Sequence, residues 1–256
     1  ERSRIDENFN PEMGFVLRKN TAKKRWRSTW RPRPGIDSIR QVTMSAGAEW
    51  YNNQTTGSLE SRKTGVWLGI DTEGGDLVAL RADDKYELLT KEFKVHPTVS
   101  LPIGGYNFLD YSVRVRTYSG RRASGEFEVA GGTYFNGKKL TISTDGEIDI
   151  NRHFSIMLEH EYNKVHLANG SFVARVINTG LNYNLTNKLL TSTAIQYDNV
   201  YDRFLLNVRL NYIYRPGDDI FIVYNDTRDF DPTYAGFLGG LVNRTLLVKF
   251  NHSFDF

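Results

Sequence analysis

The sequence predicts an all-β protein: an antiparallel transmembrane β-barrel of the outer-membrane type, with about 13 to 14 strands visible and belonging to a larger barrel. Three observations predict it. Apolar residues recur with a period of two along nearly the whole chain, the alternating segments are long, and the last of them closes on Phe256. Successive side chains on a strand point to opposite faces, so each segment carries one apolar or aromatic face and one polar face. A soluble strand is usually about 5–6 residues long, whereas a tilted strand crossing a bilayer needs about 9–11. A sheet in lipid must pair every backbone group, which favours closure into a barrel.

The elements justify this reading in order. Val42, Met44, Ala46, Ala48 and Trp50 alternate with Thr43, Ser45, Gly47 and Glu49. Phe127, Val129, Gly131, Thr133 and Phe135 alternate with Glu126, Glu128, Ala130, Gly132 and Tyr134. Phe154, Ile156, Leu158, His160 and Tyr162 do so with Ser155, Met157, Glu159 and Glu161, and Leu206, Val208, Leu210, Tyr212 and Tyr214 with Asn207, Arg209, Asn211 and Ile213. Such segments fall near 14–30, 37–52, 59–72, 76–88, 106–119, 122–135, 138–150, 152–163, 171–185, 188–200, 204–215, 219–228 and 243–256. Turn chemistry separates them: Arg33-Pro34-Gly35, Glu73-Gly74-Gly75-Asp76, Ser119-Gly120-Arg121, Asn136-Gly137, Thr186-Asn187 and Arg215-Pro216-Gly217-Asp218. The expectation is one continuous meander over residues 1–256, a single barrel region forming the C-terminal part of a longer protein. Bacterial single-chain barrels have even strand numbers. The odd count therefore means that one strand is unread or that the chain begins inside a larger barrel; Glu1–Glu12, polar and abrupt, reads as the start of a fragment.

The final strand carries Leu246, Val248, Phe250, Phe254 and Phe256 on one face, with His252 the exception. A terminal Phe on such a strand resembles the signal by which bacterial outer-membrane barrels are delivered to their assembly machinery, so Phe250, Phe254 and Phe256 are the expected assembly signal. In such barrels the C-terminus and the short turns are periplasmic. Asp226–Val242 and Leu89–Gly105 then become long external loops. The bland alternative is a soluble β-sandwich, against which strand length and the 13% aromatic content weigh.

Composition narrows the function classes. With no cysteine there is no disulfide framework, thiolate metal site or Cys nucleophile. The formal charge of +3 is too small to argue for nucleic acid. The 256 residues contain no apolar run of transmembrane-helix length. No cofactor is expected. His96, His153, His160, His166 and His252 form no close metal spacing. His153, Ser155, Glu159 and Glu161 share one strand face and are the best local catalytic cluster, though a polar wall explains them as well. Asp83-Asp84 and Asp226, Asp229 and Asp231 are weak candidates for Ca²⁺. The basic run from Arg18 to Arg33, interleaved with Trp26 and Trp30, is expected at the periplasmic rim facing lipid headgroups. Arg114 and Arg116 near Glu126 and Glu128, with Glu159, Glu161, Arg209 and Lys249, are expected to form a charge ladder on the lumen face.

Several stretches resemble a known family. They are Asn8–Val16 with Arg18, Leu101–Tyr106, Ala130–Gly137, Ile195–Asp198, Asn207–Leu210 and Tyr214–Asn225, in order along the chain. Together they are similar to the C-terminal barrel of the domain of unknown function 5916 family, Bacteroidota-type outer-membrane proteins whose members commonly carry an N-terminal domain like family 9 carbohydrate-binding modules. The resemblance implies a bacterial outer-membrane location and upstream domains, and supplies no chemistry. The expected function is a non-enzymatic channel, receptor or membrane anchor in a Gram-negative cell envelope. Its partners would be outer-membrane lipid and lipopolysaccharide, the barrel-assembly machinery and subunits of an envelope complex, with no nucleic acid. The rivals are an outer-membrane hydrolase with a His–carboxylate site and a structural envelope subunit.

Overall fold

The computed structural model describes residues 1–12, 14, 18–230 and 239–253, and among these it is all-β with no helix. In chain order the strands are β1 (Arg2–Ile5), β2 (Thr21–Trp30), β3 (Ile39–Asn53), β4 (Leu59–Thr72), β5 (Leu77–Leu89), β6 (Phe93–His96), β7 (Val99–Leu101) and β8 (Gly104–Arg116). There follow β9 (Ala123–Tyr134), β10 (Gly137–Asn151), β11 (Phe154–Leu167), β12 (Gly170–Asn184), β13 (Leu189–Asp198), β14 (Arg203–Arg215), β15 (Asp218–Asp229) and β16 (Gly240–Asn251). Fourteen of them form one sheet in which each strand hydrogen-bonds its sequence neighbour, except that β5 passes over the β6–β7 hairpin to pair with β8. Apart from β1, the strands of this sheet run from 10 to 15 residues.

Each expected segment contains a strand, with three departures. The missing partner in the odd count is β1, whose Arg2–Ile5 pair with Lys24–Thr21. Its four residues span too little chain to display a period. The segment expected from residue 14 becomes strand only at Thr21, after a bend where Asn20 adopts φ 52°. Leu89–Gly105, expected as an open loop, instead holds the β6–β7 hairpin, turning at Pro97-Thr98. Phe254 and Phe256 lie outside the described residues.

The chain groups into two compact units. Unit 1 comprises Glu1–Arg116, Glu128–Thr141 and Lys164–Phe172. Among the described residues its apolar core cluster joins Val99 and Leu101 of the hairpin to Val165 and Leu167 of β11, and Leu101 is fully buried. His96 stacks on Phe172 at 4.4 Å, and the Asn169 side-chain amide donates to the Ser100 carbonyl at 3.2 Å. Val165 and Leu167 continue the odd-numbered, polar face of β11, so the hairpin folds onto the polar side of the strand wall. Unit 2 comprises Thr117–Phe127, Ile142–Asn163 and Val173–Phe256. Its strands β13, β14 and β15 pair in unbroken register except for a bulge near Ile213.

The expected Asn136-Gly137 turn is shifted by one residue. The loop residues are Phe135 and Asn136, and Phe135 holds φ 49°. A bulky residue there is strained. Packing of Phe135 against Phe93, Tyr106, Phe108 and Tyr134 holds it in place. Gly137 opens β10 and is needed for space, because a Cβ there would collide with the His166 carbonyl.

Gly131 and Gly132 make a paired test of wall packing. A Cβ on Gly132 would strike the Leu109 carbonyl, whereas at Gly131 the nearest atom, the Lys139 carbonyl oxygen, is 3.4 Å away. Gly132→Ala is expected to destabilise by about 1–3 kcal/mol and Gly131→Ala by well under about 1 kcal/mol. Urea titration of the folded chain checks this; equal effects would contradict the packing described.

Candidate functional site

Strand register sorts side chains onto two faces of different chemistry. In unit 1 the cross-strand row Trp30–Met44–Leu68–Leu80–Val113 crosses β2, β3, β4, β5 and β8. All five side chains are exposed, from 36% at Leu68 to 64% at Trp30. Below it runs Val42–Ile70–Val78–Val115, and above it Ser28–Ala46–Val66–Ala82–Tyr111. The first and the upper of these rows line a broad apolar groove. An uninterrupted exposed surface of this kind is rare on a soluble monomer.

The opposite face of the same strands is charged. One row reads Arg25–Glu49–Lys63–Lys85–Phe108, the next Arg27–Gly47–Gly65–Asp83–Asp110, the next Thr29–Ser45–Trp67–Arg81–Ser112. Asp83 is the anchor. Its side chain is 7% exposed, takes the Arg81 Nε at 2.7 Å and the Lys63 Nζ at 3.3 Å, and occupies the space that a Cβ on Gly65 would fill. Glu49 lies 3.2 Å from the Lys23 Nζ and 3.7 Å from the Arg25 Nε. The Lys85 Nζ donates to Asp110 at 2.7 Å, and Arg18 pairs with Glu87. Trp67 lies over Gly69, in the place of a missing side chain.

The expected charge ladder divides between the units. In unit 1, Arg114 donates to Glu128, its Nε at 2.9 Å. Arg116 lies opposite Leu77 and has no ion-pair partner among the described residues. In unit 2 the carboxylates meet amides: the Asn178 side chain donates to Glu159 at 3.1 Å, and that of Asn163 to Glu161 at 2.6 Å. Glu126 also belongs to unit 2. Arg209 sits between Ser192 and Val223, and Lys249 opposite Phe221. The alternation of sign along the sequence does not decide which residues meet; register does. The polar face of unit 2 is an amide wall, with Asn207 bonded to Asn225 and a row Asn178–Gln196–Leu205–Thr227–Asn243.

The basic run of β2 also divides by parity. Trp26 and Trp30 lie on the apolar face, 55% and 64% exposed, while Arg25, Arg27 and Arg31 line the polar concavity of unit 1. These arginines therefore face the polar side, and only the tryptophans of the run lie on the apolar face. Phe250 stacks on Tyr214 at 5.7 Å with planes 8° apart, and the Tyr214 hydroxyl contacts the His252 Nδ1 at 3.0 Å.

The catalytic candidates do not converge on one another. His153 meets the Asn184 carbonyl at 2.7 Å and the Arg152 Nε at 2.9 Å, while Ser155 is 3.5 Å from the Asn182 side chain. His252 pairs with Asp218 at 3.2 Å, and the neighbouring Ser253 hydroxyl donates to the Gly217 carbonyl. The acidic candidates for Ca²⁺ that are described lie within β5 and β15 rather than in loops, and they are occupied too. Asp84 takes Arg62, and Asp229 takes Arg203. Asp226, 4% exposed at its side chain, takes Arg228, Arg244 and the Tyr224 hydroxyl. Asp231 lies outside the described residues. Among those described, no group of His, Asp and Glu could hold a metal ion. The sequence marks Asp83 and Asp226 only as weak Ca²⁺ candidates and not as buried centres, because it is the strand register that brings Lys63 and Arg244 beside them.

No family model, curated protein or solved structure matches the chain.

The pairing of Asp83 predicts a stability difference between neighbours. Asp83→Asn removes a carboxylate held by two cations and is expected to cost about 2 kcal/mol. Asp84→Asn breaks a half-exposed pair and is expected to cost less than about 1 kcal/mol. Denaturant unfolding followed by tryptophan fluorescence resolves the two.

Proposed function

We propose that this chain is a non-enzymatic outer-membrane β-barrel region, the membrane-embedded part of a longer envelope protein of the type its sequence resembles, and that it acts as a restricted channel or receptor. The supporting observation is the segregation of faces. Exposed apolar rows run from strand to strand on one side, and ion pairs, amides and a folded-in hairpin occupy the other. Lipid accepts the first face. The second is what a polar interior requires, since charges and amides are satisfied there by one another and by water.

Strand length supports the same reading. A 13-residue strand such as β8 reaches roughly 43 Å at about 3.3 Å per residue, enough to cross a tilted hydrocarbon core and its headgroup layers. On the apolar face Arg62 lies near the start of β4 and holds Asp84 of mid-β5, while Asp226 and Arg228 lie near the end of β15 beside Arg244. Headgroup depth suits such groups, as it suits Trp30 and the Tyr214–Phe250 stack. The β6–β7 hairpin on the polar face favours a restricted interior over an open diffusion pore.

Two exposed positions on opposite faces separate this from a soluble sheet. Val113 lies in the apolar row, 48% exposed, and Gln196 on the amide wall is also exposed. Val113→Lys is expected to cost about 2–4 kcal/mol in lipid and to reduce folding into phosphatidylcholine vesicles sharply, while Gln196→Lys folds as the unmodified chain does. Band-shift electrophoresis without boiling reads the folded fraction. Equal folding of both variants, or a folded unmodified chain that stays in solution without detergent or lipid, would refute membrane embedding.

A further inference from the structure

We propose that the concavity on the polar face of unit 1 is a binding site for an elongated small polyanion carrying phosphate or sulfate groups. This goes beyond the membrane reading and does not depend on it, because it rests on the polar face alone. The concavity has a volume of about 710 Å³ and is lined by seven cationic side chains against three carboxylates. Those carboxylates are already engaged: Glu49 by Lys23 and Arg25, Asp83 by Lys63 and Arg81, and Asp71 by Arg40 at 3.8 Å. Arg27, Arg31 and Arg116 have no carboxylate within ion-pair distance among the described residues, and all three are exposed.

The surroundings suit an anion. Several cations around a confined volume focus positive potential into it. The floor between the arginines is small and hydroxylated: Thr43, Gly47 and Ser45, whose hydroxyl lies 3.1 Å from that of Thr29. No large side chain from these positions fills the space, and the hydroxyls supply neutral donors. The planar guanidinium offers paired N–H groups that match two oxygens of a phosphate or sulfate, which a lysine cannot do. Arg27 and Arg31 come from the β2 side and Arg116 from β8, four strand spacings away, roughly 19 Å sideways at about 4.8 Å each, with Arg116 also six residues along β8 from the row of Arg27. One tetrahedral anion cannot reach both walls. A ligand with several anionic groups in series can.

The experiment uses the whole chain in detergent and short-chain inorganic polyphosphate as the probe, with orthophosphate as comparator, measured by isothermal titration calorimetry. Polyphosphate is expected to bind at low salt, more tightly than orthophosphate, and to weaken as sodium chloride rises. The triple variant Arg27→Gln, Arg31→Gln, Arg116→Gln is expected to bind about tenfold more weakly for each arginine removed, since each loses a charge-assisted contact. Arg33→Gln, outside the concavity, keeps the unmodified affinity. The triple variant removes like charges that have no partner, so its fold is retained; an unchanged band shift and circular dichroism verify that. Equal binding by the triple variant, equal affinity for orthophosphate, or no polyphosphate binding at low salt would overturn the proposal. Displacement of polyphosphate by lipid A micelles but not by pyrophosphate would place the ligand among lipid headgroups and overturn the assignment to a small soluble polyanion. Membrane insertion is read separately, so loss of either conclusion leaves the other standing.

Discussion

Antiparallel pairing between sequence neighbours is the constraint on which the rest depends. Once β2 pairs with β3 through Trp30–Met44, every later residue of both strands has its face assigned, because a slip of one position would turn every side chain over. The same holds from β3 to β8, and again from β12 to β16. Apolar rows, cationic rows and amide rows are consequences of that registration. A one-residue slip of β5 against β4 would carry Asp83 and Arg81 together to the apolar side of β4 and leave Lys63 without its carboxylate. Charge pairing on one face and apolar continuity on the other thus reinforce one register.

Where a side chain is missing, a neighbour takes its space, and this is how the wall tolerates large polar groups. Asp83 fills the position over Gly65, and Trp67 the position over Gly69. Gly132 and Gly137 serve backbone approach, admitting the carbonyls of Leu109 and His166. At Gly132 the requirement is clearance, and it is met inside a strand where no phosphate-binding turn exists.

The period-two pattern made the strands legible because it repeats over ten or more residues in most of them. It failed where too little chain was available to repeat: β1 has four residues, and the β6–β7 hairpin has four and three. The faces were legible as well, since Thr43, Ser45, Gly47 and Glu49 do share a side. Partners were not. Arg114 and Glu128 meet because adjacent strands bring them together, while Glu159 and Arg209, of opposite sign and on similar faces, take Asn178 and Ser192 as neighbours. Sequence alternation fixes one coordinate of a strand residue, the face. The other, the position along the neighbouring strand, depends on turn length and bulges such as those at Ile39–Gln41 and Thr227–Arg228.

The concentration of unpaired arginine on the polar face of unit 1 arises from the same geometry. β2 contributes a cation at every second residue from Lys23 to Arg27, and Arg31 follows its end, while β3 offers Glu49 and then Gly47, Ser45 and Thr43 along the same face. One carboxylate is thus set against Lys23 and Arg25, and small neutral residues against Arg27 and Thr29. Adding a second acidic residue to β3 would have neutralised the row within the sheet and closed the space above it. Its absence leaves both volume and charge, and volume with uncompensated like charge is stable in water only when ions of the other sign have access to it. The proposed polyanion site rests on that arginine row.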